Sequence, residues 1–269
     1  MLESPLLATL AALFLWWFST GAILWRVKAA DQRGTDSHVW SVVLALPFLV
    51  LGFAGFSGSL ADGSAQGVYI AFLSALAIWG WIEIAFLSGV ITGPNRRPCP
   101  PYAPEWERFL RAFGTIAWHE TLLAVTLVWM VGQTIGAANP FAALTFGVLF
   151  FARVSAKLNL FFGVPRIHTE FLPRPLAHLP SHFRRRGMNL FFPVAVTGLT
   201  FATACWAERA LAGTTPAETL GFTLLAALTA LALLEHWFMV LPVPDEKLWR
   251  WMMPAPKQTD RLRKDANGL

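Results

Sequence analysis

The chain has 269 residues, of which 55% are hydrophobic and 14% charged, with a mean hydropathy of +0.52 and a formal net charge of +5. That balance excludes an ordinary soluble domain and describes a polytopic membrane protein. The basic residues fall between apolar runs, with no basic stripe of interleaved aromatics, so nucleic acid is excluded as a partner.

Runs of about 20 apolar residues, the length that crosses a ~30 Å hydrocarbon core, predict an all-α bundle of about seven transmembrane helices. They cover residues 5 to 25, 39 to 60, 67 to 92, 114 to 136, 140 to 162, 189 to 211 and 216 to 241. The first has an acidic flank, Glu3, and full span length, which reads as a span rather than a cleavable leader. Trp25, Trp40 and Trp106 fall near predicted span ends, where amphipathic rings prefer the interface. Cys99 lies in a loop and Cys205 in a span toward the opposite face, so no disulfide is expected between them.

Of the 21 basic residues, all except Arg209 lie in odd-numbered connections, the end of span five or the tail. This bias puts the N-terminus outside and the C-terminus in the cytoplasm. The bundle would occupy residues 1–244, followed by a charged cytoplasmic tail, 245–269. Two cytoplasmic loops, 93–113 and 163–188, exceed simple turns. The first starts Pro-rich, then sets Trp106, Phe109, Leu110 and Phe113 at helical spacing against Glu105, Glu107, Arg108 and Arg111, predicting a short interfacial helix before span four. The second alternates prolines with His168, His178 and His182, then carries Arg184, Arg185 and Arg186, which read as a topogenic stop against anionic headgroups. Pro180 opposes the helix that would align His178 with His182.

Ionisable side chains interrupt four of the spans. Arg153 and Lys157, four apart, share a helical face in span five, while Glu83, Glu120 and Glu235 lie in spans three, four and seven. At 1.5 Å per residue, all five fall roughly 9 to 15 Å below the same membrane face. Polar groups at that depth face the bundle interior or a wet cavity and pair there. Two readings stay open. One is an ion-pair network that locks the helices together. The other is a site, because three carboxylates against two cations leave an extra negative charge, with His119 and His236 adjacent. Such a site could hold a divalent metal or perform acid and base work, which makes Glu83, His119, Glu120, Glu235 and His236 the catalytic and metal-ligating candidates. Neighbouring helical positions diverge by about 100°, so one member of each Glu/His pair is expected to face away. Arg153, Lys157, Asn159 and His168 are the candidate ligand-binding residues. Asn159 and Ser155 also suit hydrogen bonds to neighbouring helices. Trp79, Trp81, Trp118 and Trp237, near the acids, would suit a flat tetrapyrrole or simple core packing.

The segments LFLWWFSTGAILW (13 to 25), FLSALAIWGWIEIAFLSGVITGP (72 to 94), GTIAWHE (114 to 120) and FFARVSAKLNLFFGVP, followed by HTEFLP and LAHLPSHF, resemble the PuhE-type photosynthetic complex assembly proteins of anoxygenic phototrophic bacteria. The likeness runs to about Pro244. It implies a multi-pass protein of the bacterial cytoplasmic or intracytoplasmic photosynthetic membrane, associated genetically with the reaction-centre H subunit. It also implies a role in assembling the reaction centre and core antenna, or in supplying bacteriochlorophyll. Expected partners are membrane lipids and reaction-centre, light-harvesting or pigment-synthesis proteins; a bacteriochlorophyll-type tetrapyrrole or a divalent metal is the expected cofactor. Whether the chain is an enzyme stays open. The alternative reading is an enzyme acting on the tetrapyrrole, for example by magnesium removal, with Glu120 or Glu235 as proton donor. The resemblance carries over no site residue. A proton-coupled transporter ranks last, since the cluster lacks broken helices beyond those that Pro47 and Pro193 would cause.

Overall fold

Pro47 has no backbone N–H, and it splits the second apolar run into α2 (Thr35–Leu44) and α3 (Leu46–Ser59), with Ala45 at the break. The other helices are α1 (Pro5–Arg33), α4 (Ala65–Leu87), α5 (Glu105–Thr134), α6 (Phe141–Phe162), α7 (Phe191–Leu211) and α8 (Pro216–Phe238). This computed structural model describes residues 3–244 and Lys247. The expected charged tail, including Arg250, Lys257, Arg261, Arg263 and Lys264, otherwise lies outside the described residues. With α2 and α3 taken as one span, seven segments are long and apolar enough to cross a membrane. The described residues form no strand, only one isolated bridge between Val164 and Arg185.

Burial separates the centre of the bundle from its rim. Half of the apolar window of α4 and of α8 is buried, against 11% of α7, which lies against α8 and α6 at the periphery. The main core joins Phe72, Ile78 and Ile82 of α4 to Leu123 and Met130 of α5, Phe146 of α6 and Leu224 and Leu225 of α8. Between membrane helices close approach depends on small residues, and α3 supplies them toward α4. A Cβ at Gly52 would lie 3.1 Å from the Ser74 carbonyl, and one at Gly55 would meet Ser74 Oγ at 2.4 Å.

Two departures from the sequence reading shape the site. The expected interfacial helix is the first part of α5, whose 30 residues extend about 45 Å, longer than the hydrocarbon core. The third span ends at Leu87 instead of 92, because Gly89 adopts a φ of +73° and the Val90 N–H bonds the Ala85 carbonyl, closing the helix in a Schellman-type turn. Residues 88–95 then run as a non-helical strap along α5. The His119 N–H donates to the Thr92 carbonyl at 3.0 Å, and the Asn95 N–H donates to the Gly114 carbonyl at 2.9 Å. Irregular backbone of this kind is tolerated at membrane depth only where protein covers it, and Thr92 and Gly93 are buried.

The segment from Gly163 to Leu190 folds into three short 3-10 turns, Thr169–Phe171, Arg174–Leu176 and Leu179–His182. It is tied to every neighbour at its end of the bundle. Lys28 Nζ donates to the Leu172 carbonyl (2.8 Å), the Arg174 N–H to Asp31 (2.9 Å), Arg166 Nη2 to the Val243 carbonyl (2.8 Å) and Arg184 Nη2 to Glu105 (2.5 Å). The connections rich in Lys and Arg therefore share one end of the bundle. The turn Asp62 to Ser64 and Asn139 meet at the other, where Asn139 Nδ2 donates to the Asp62 carbonyl at 3.0 Å.

Candidate functional site

Charged side chains of three helices meet in ion pairs, and α8 brings Glu235 near enough to Arg153 to interact electrostatically. Arg153 Nη2 on α6 lies 3.1 Å from Glu83 Oε2 on α4, and Lys157, one turn further along α6, pairs with Glu120 on α5. His119 stands between the two carboxylates, its Nε2 3.8 Å from Glu83 and 3.9 Å from Glu120, and its ring lies 4.3 Å from that of Phe86. Phe86 also faces the Lys157 ammonium at 5.4 Å, so one aromatic ring covers both groups. The expected divergence of neighbouring positions does not separate His119 from Glu120. Both reach the network, and the strap is bonded to the α5 backbone at the same point, His119.

The other Glu/His pair does diverge. His236 turns to α6, where its Nδ1 lies 2.7 Å from the Ala232 carbonyl and its Nε2 2.9 Å from Ser155 Oγ. A carbonyl can only accept, so Nδ1 carries the proton and Nε2 accepts from the serine hydroxyl. Glu235 faces the opposite way. It interacts electrostatically with Arg153, yet it has no ion-pair partner within 4 Å among the described residues. Arithmetic on the five charges leaves this carboxylate over once the other two are paired.

Arg153, Lys157, Glu120 and Glu235 line one cavity of about 770 Å³. Its walls come from α1, α4, α5, α6 and α8, with Trp16, Phe113, Phe150, Phe161 and Phe238 among them, and residues 166 to 183 form its roof. His168 lines that roof, 3.3 Å from Glu170 through Nδ1. Glu83, His119, His236 and Asn159 stand outside the lining. Glu83 lies one layer behind, holding Arg153, and His119 lies beside it with no hydrogen bond from either ring nitrogen. Asn159, fully buried, accepts from Asn189 Nδ2 at 3.1 Å and donates to the Ser155 carbonyl, a structural bond between α6 and the start of α7.

The tryptophans near the acids do not line the cavity. Trp79 packs edge-on to Phe146, Trp81 Nε1 donates to the Val42 carbonyl, Trp237 packs on Phe192, and Trp118 faces outward. Phenylalanines supply most of the aromatic wall instead. Sequence reasoning also missed the strap, Phe86 and Asn189. The Gly93-Pro94 pair marks the strap as a breaker, but nothing local says that it folds back along α5.

Among the described residues, no three His, Cys, Asp or Glu side chains are arranged to hold a metal ion. Arg153 and Lys157 take up the acids that would otherwise converge. At the roof, burial holds the His178 and His182 imidazoles below their ordinary range; the charges of His182 and Arg96 add to this for His178, and those of Arg108 and Arg111 for His182. A hydrogen bond from His182 Nε2 to the Arg97 carbonyl opposes the shift of that ring.

Fold and site together define a helical multi-pass membrane protein with a cavity lined by charges from α5, α6 and α8, among them one acid, Glu235, without an ion pair. Residues 2–260 match the family described as "Protein of unknown function (DUF3623)", and the chain belongs to that family. It is 57% identical over 254 residues, 94% of this chain and 93% of the relative, to a Rhodobacter capsulatus protein described as an uncharacterized 30.4 kDa protein in the puhA 5′ region. No solved structure matches the chain.

Proposed function

We propose that this is an integral membrane factor with a photosynthesis-related role, a PuhE-type protein that assists assembly of the reaction centre and core antenna by handling a bacteriochlorophyll-type pigment. The observation that carries the reading is the cavity of about 770 Å³, whose wall is mostly apolar and aromatic and which also presents Glu120, Arg153, Lys157, Arg166 and Glu235. Ligand sites of about 300 to 1,000 Å³ with a few convergent polar groups accommodate cofactor-sized molecules. The relative's position beside puhA supports the photosynthetic setting. In this reading the N-terminus lies outside and the basic end faces the cytoplasm, following the Lys and Arg bias. Membrane lipids surround the bundle, and reaction-centre, light-harvesting or pigment-synthesis proteins meet the outer side of loop 163–188, where Arg185 and Arg186 are exposed.

Deleting the gene from a phototroph and recording membrane absorption tests this. Reaction-centre and core-antenna bands should fall while free pigment is still made, and the wild-type gene should restore them. Ala124→Trp, which fills the cavity wall, should restore them poorly. Unchanged bands in the deletion strain would end the proposal.

A second reading is favoured by Glu235, the acid that no cation takes up. An enzyme that removes magnesium must deliver two protons to ring nitrogens as the ion leaves, and in this reading Glu235 passes them. Purified protein that converts magnesium pigment to its metal-free form, with Glu235→Gln inactive, would establish this reading over the non-catalytic one.

A further inference from the structure

The two acids lining the cavity, Glu120 and Glu235, stand differently toward the three cations there, Arg153, Lys157 and Arg166. Glu120 is answered by Lys157, and Arg153 is engaged by Glu83 behind it, its Nη2 3.1 Å from that carboxylate. Glu235 lines the same cavity from α8 without an ion-pair partner. On the roof, Arg166 directs Nη2 at the Val243 carbonyl at 2.8 Å. A carboxylate beside apolar walls that lacks an ion pair is costly, and a positively polarised group brought by a ligand lowers that cost, whereas an anion placed against it raises it.

We infer that the cavity selects amphipathic ligands by an electropositive polar end seated against Glu235, with the apolar body lying along Phe161, Phe238 and Trp16. The inference rests on the reading of this cavity as a ligand site and adds the polarity of what enters it. Arg153 contributes in a second way. Its side chain is 39% exposed and only Nη2 is held by Glu83, so the guanidinium sets the position of an acceptor group on the ligand beside the electropositive one. Two natural sources share this chemistry, an aminolipid headgroup and the metal centre of a macrocycle.

The test uses the full-length protein in nanodiscs of neutral lipid with two photoactivatable probes, a long-chain alkylammonium and the matching alkyl carboxylate, each with a diazirine near the chain end. Labelling of cavity peptides from α5, α6 and α8 is divided by labelling of the peripheral helix α7 in the same sample. The ammonium probe should exceed the carboxylate by about tenfold in this ratio, the factor set by 1.4 kcal/mol. Glu235→Gln should remove the preference and leave overall labelling in place. Equal labelling by both probes in the wild type, or preference for the carboxylate, overturns the inference without recourse to any variant. Persistence of the preference in Glu235→Gln overturns the role of that side chain. Displacement of the ammonium probe by magnesium bacteriochlorin but not by its metal-free form supports the metal-centred source, and displacement by a zwitterionic aminolipid supports the lipid source. Displacement by neither overturns both. A cavity that prefers ammonium, in a protein whose deletion leaves photosynthetic complexes normal, would sink the assembly reading alone.

Discussion

Arg153 and Glu83, seventy positions apart, join α6 to α4 through a 3.1 Å contact between Nη2 and Oε2. Removing one partner of such a pair strands the other, and that costs more than removing both. Glu83→Gln should therefore lower stability by about 2 to 4 kcal/mol, toward the lower figure because Arg153 is partly open to the cavity. Glu83→Leu combined with Arg153→Met should lose less than either single change. Thermal unfolding of the four proteins in one detergent decides it, and a double variant less stable than both singles would contradict the pairing. Glu235→Gln, by contrast, should leave the unfolding temperature unchanged or higher.

Asn189 performs three tasks with one amide. Its oxygen accepts from the Phe191 and Phe192 N–H groups at 2.9 and 3.0 Å, capping the start of α7, while its nitrogen donates to Asn159 and to the Gly163 carbonyl. Asn189→Ala removes the cap and orphans buried acceptors, a loss of about 2 to 3 kcal/mol. Asn189→Ser keeps a cap acceptor and loses the amide donors, so its unfolding temperature should fall between those of wild type and Asn189→Ala.

The strap demands a glycine at one point. A Cβ at Gly93 would sit 2.1 Å from the Gly114 carbonyl and 2.7 Å from Thr115 backbone carbon, neither of which can rotate away. Gly93→Ala should cost about 3 kcal/mol or more, and loosen the backbone at His119. Gly132, in α5, has open space around it, so Gly132→Ala should stabilise by about 1 kcal/mol. Hydrogen exchange of residues 88 to 95 and 114 to 120 separates the two, with faster exchange only in the first.

The roof should loosen in acid. Burial lowers the folded-state pKa of His178 and His182 from 6.5, so the neutral rings favour the docked loop and the released loop binds protons more readily. Docking is at full strength above about 6.5 and weakens as the pH falls below it. Amide exchange over residues 176 to 186, corrected for intrinsic rate, should accelerate between about pH 7.5 and 5.5. His182→Gln should abolish part of that dependence; an unchanged profile in the double His178→Gln/His182→Gln variant would rule out these rings as its source.

Hydropathy determined the number of spans without help from packing, because about 20 apolar residues are needed wherever a helix meets hydrocarbon. The positions of Glu83, Glu120, Arg153 and Lys157 likewise determined that they would be paired, since none is stable in lipid alone. Only the tertiary structure decided how. Whether Glu235 or His236 faces the cavity depends on the rotation of α8 against α6, which the Ser155 hydroxyl helps to set from 81 positions away. That α4 stops at Leu87, and that residues 88–95 then cover His119, depends on a Gly89 turn whose meaning comes from the backbone it packs against. The folded roof over the cavity was equally hidden in a Pro- and His-rich stretch, because its bonds to Lys28, Asp31 and Glu105 join residues remote in sequence. Depth in the membrane is a property of local composition and can be read along the chain, whereas facing is a property of neighbours and exists only once the helices have packed.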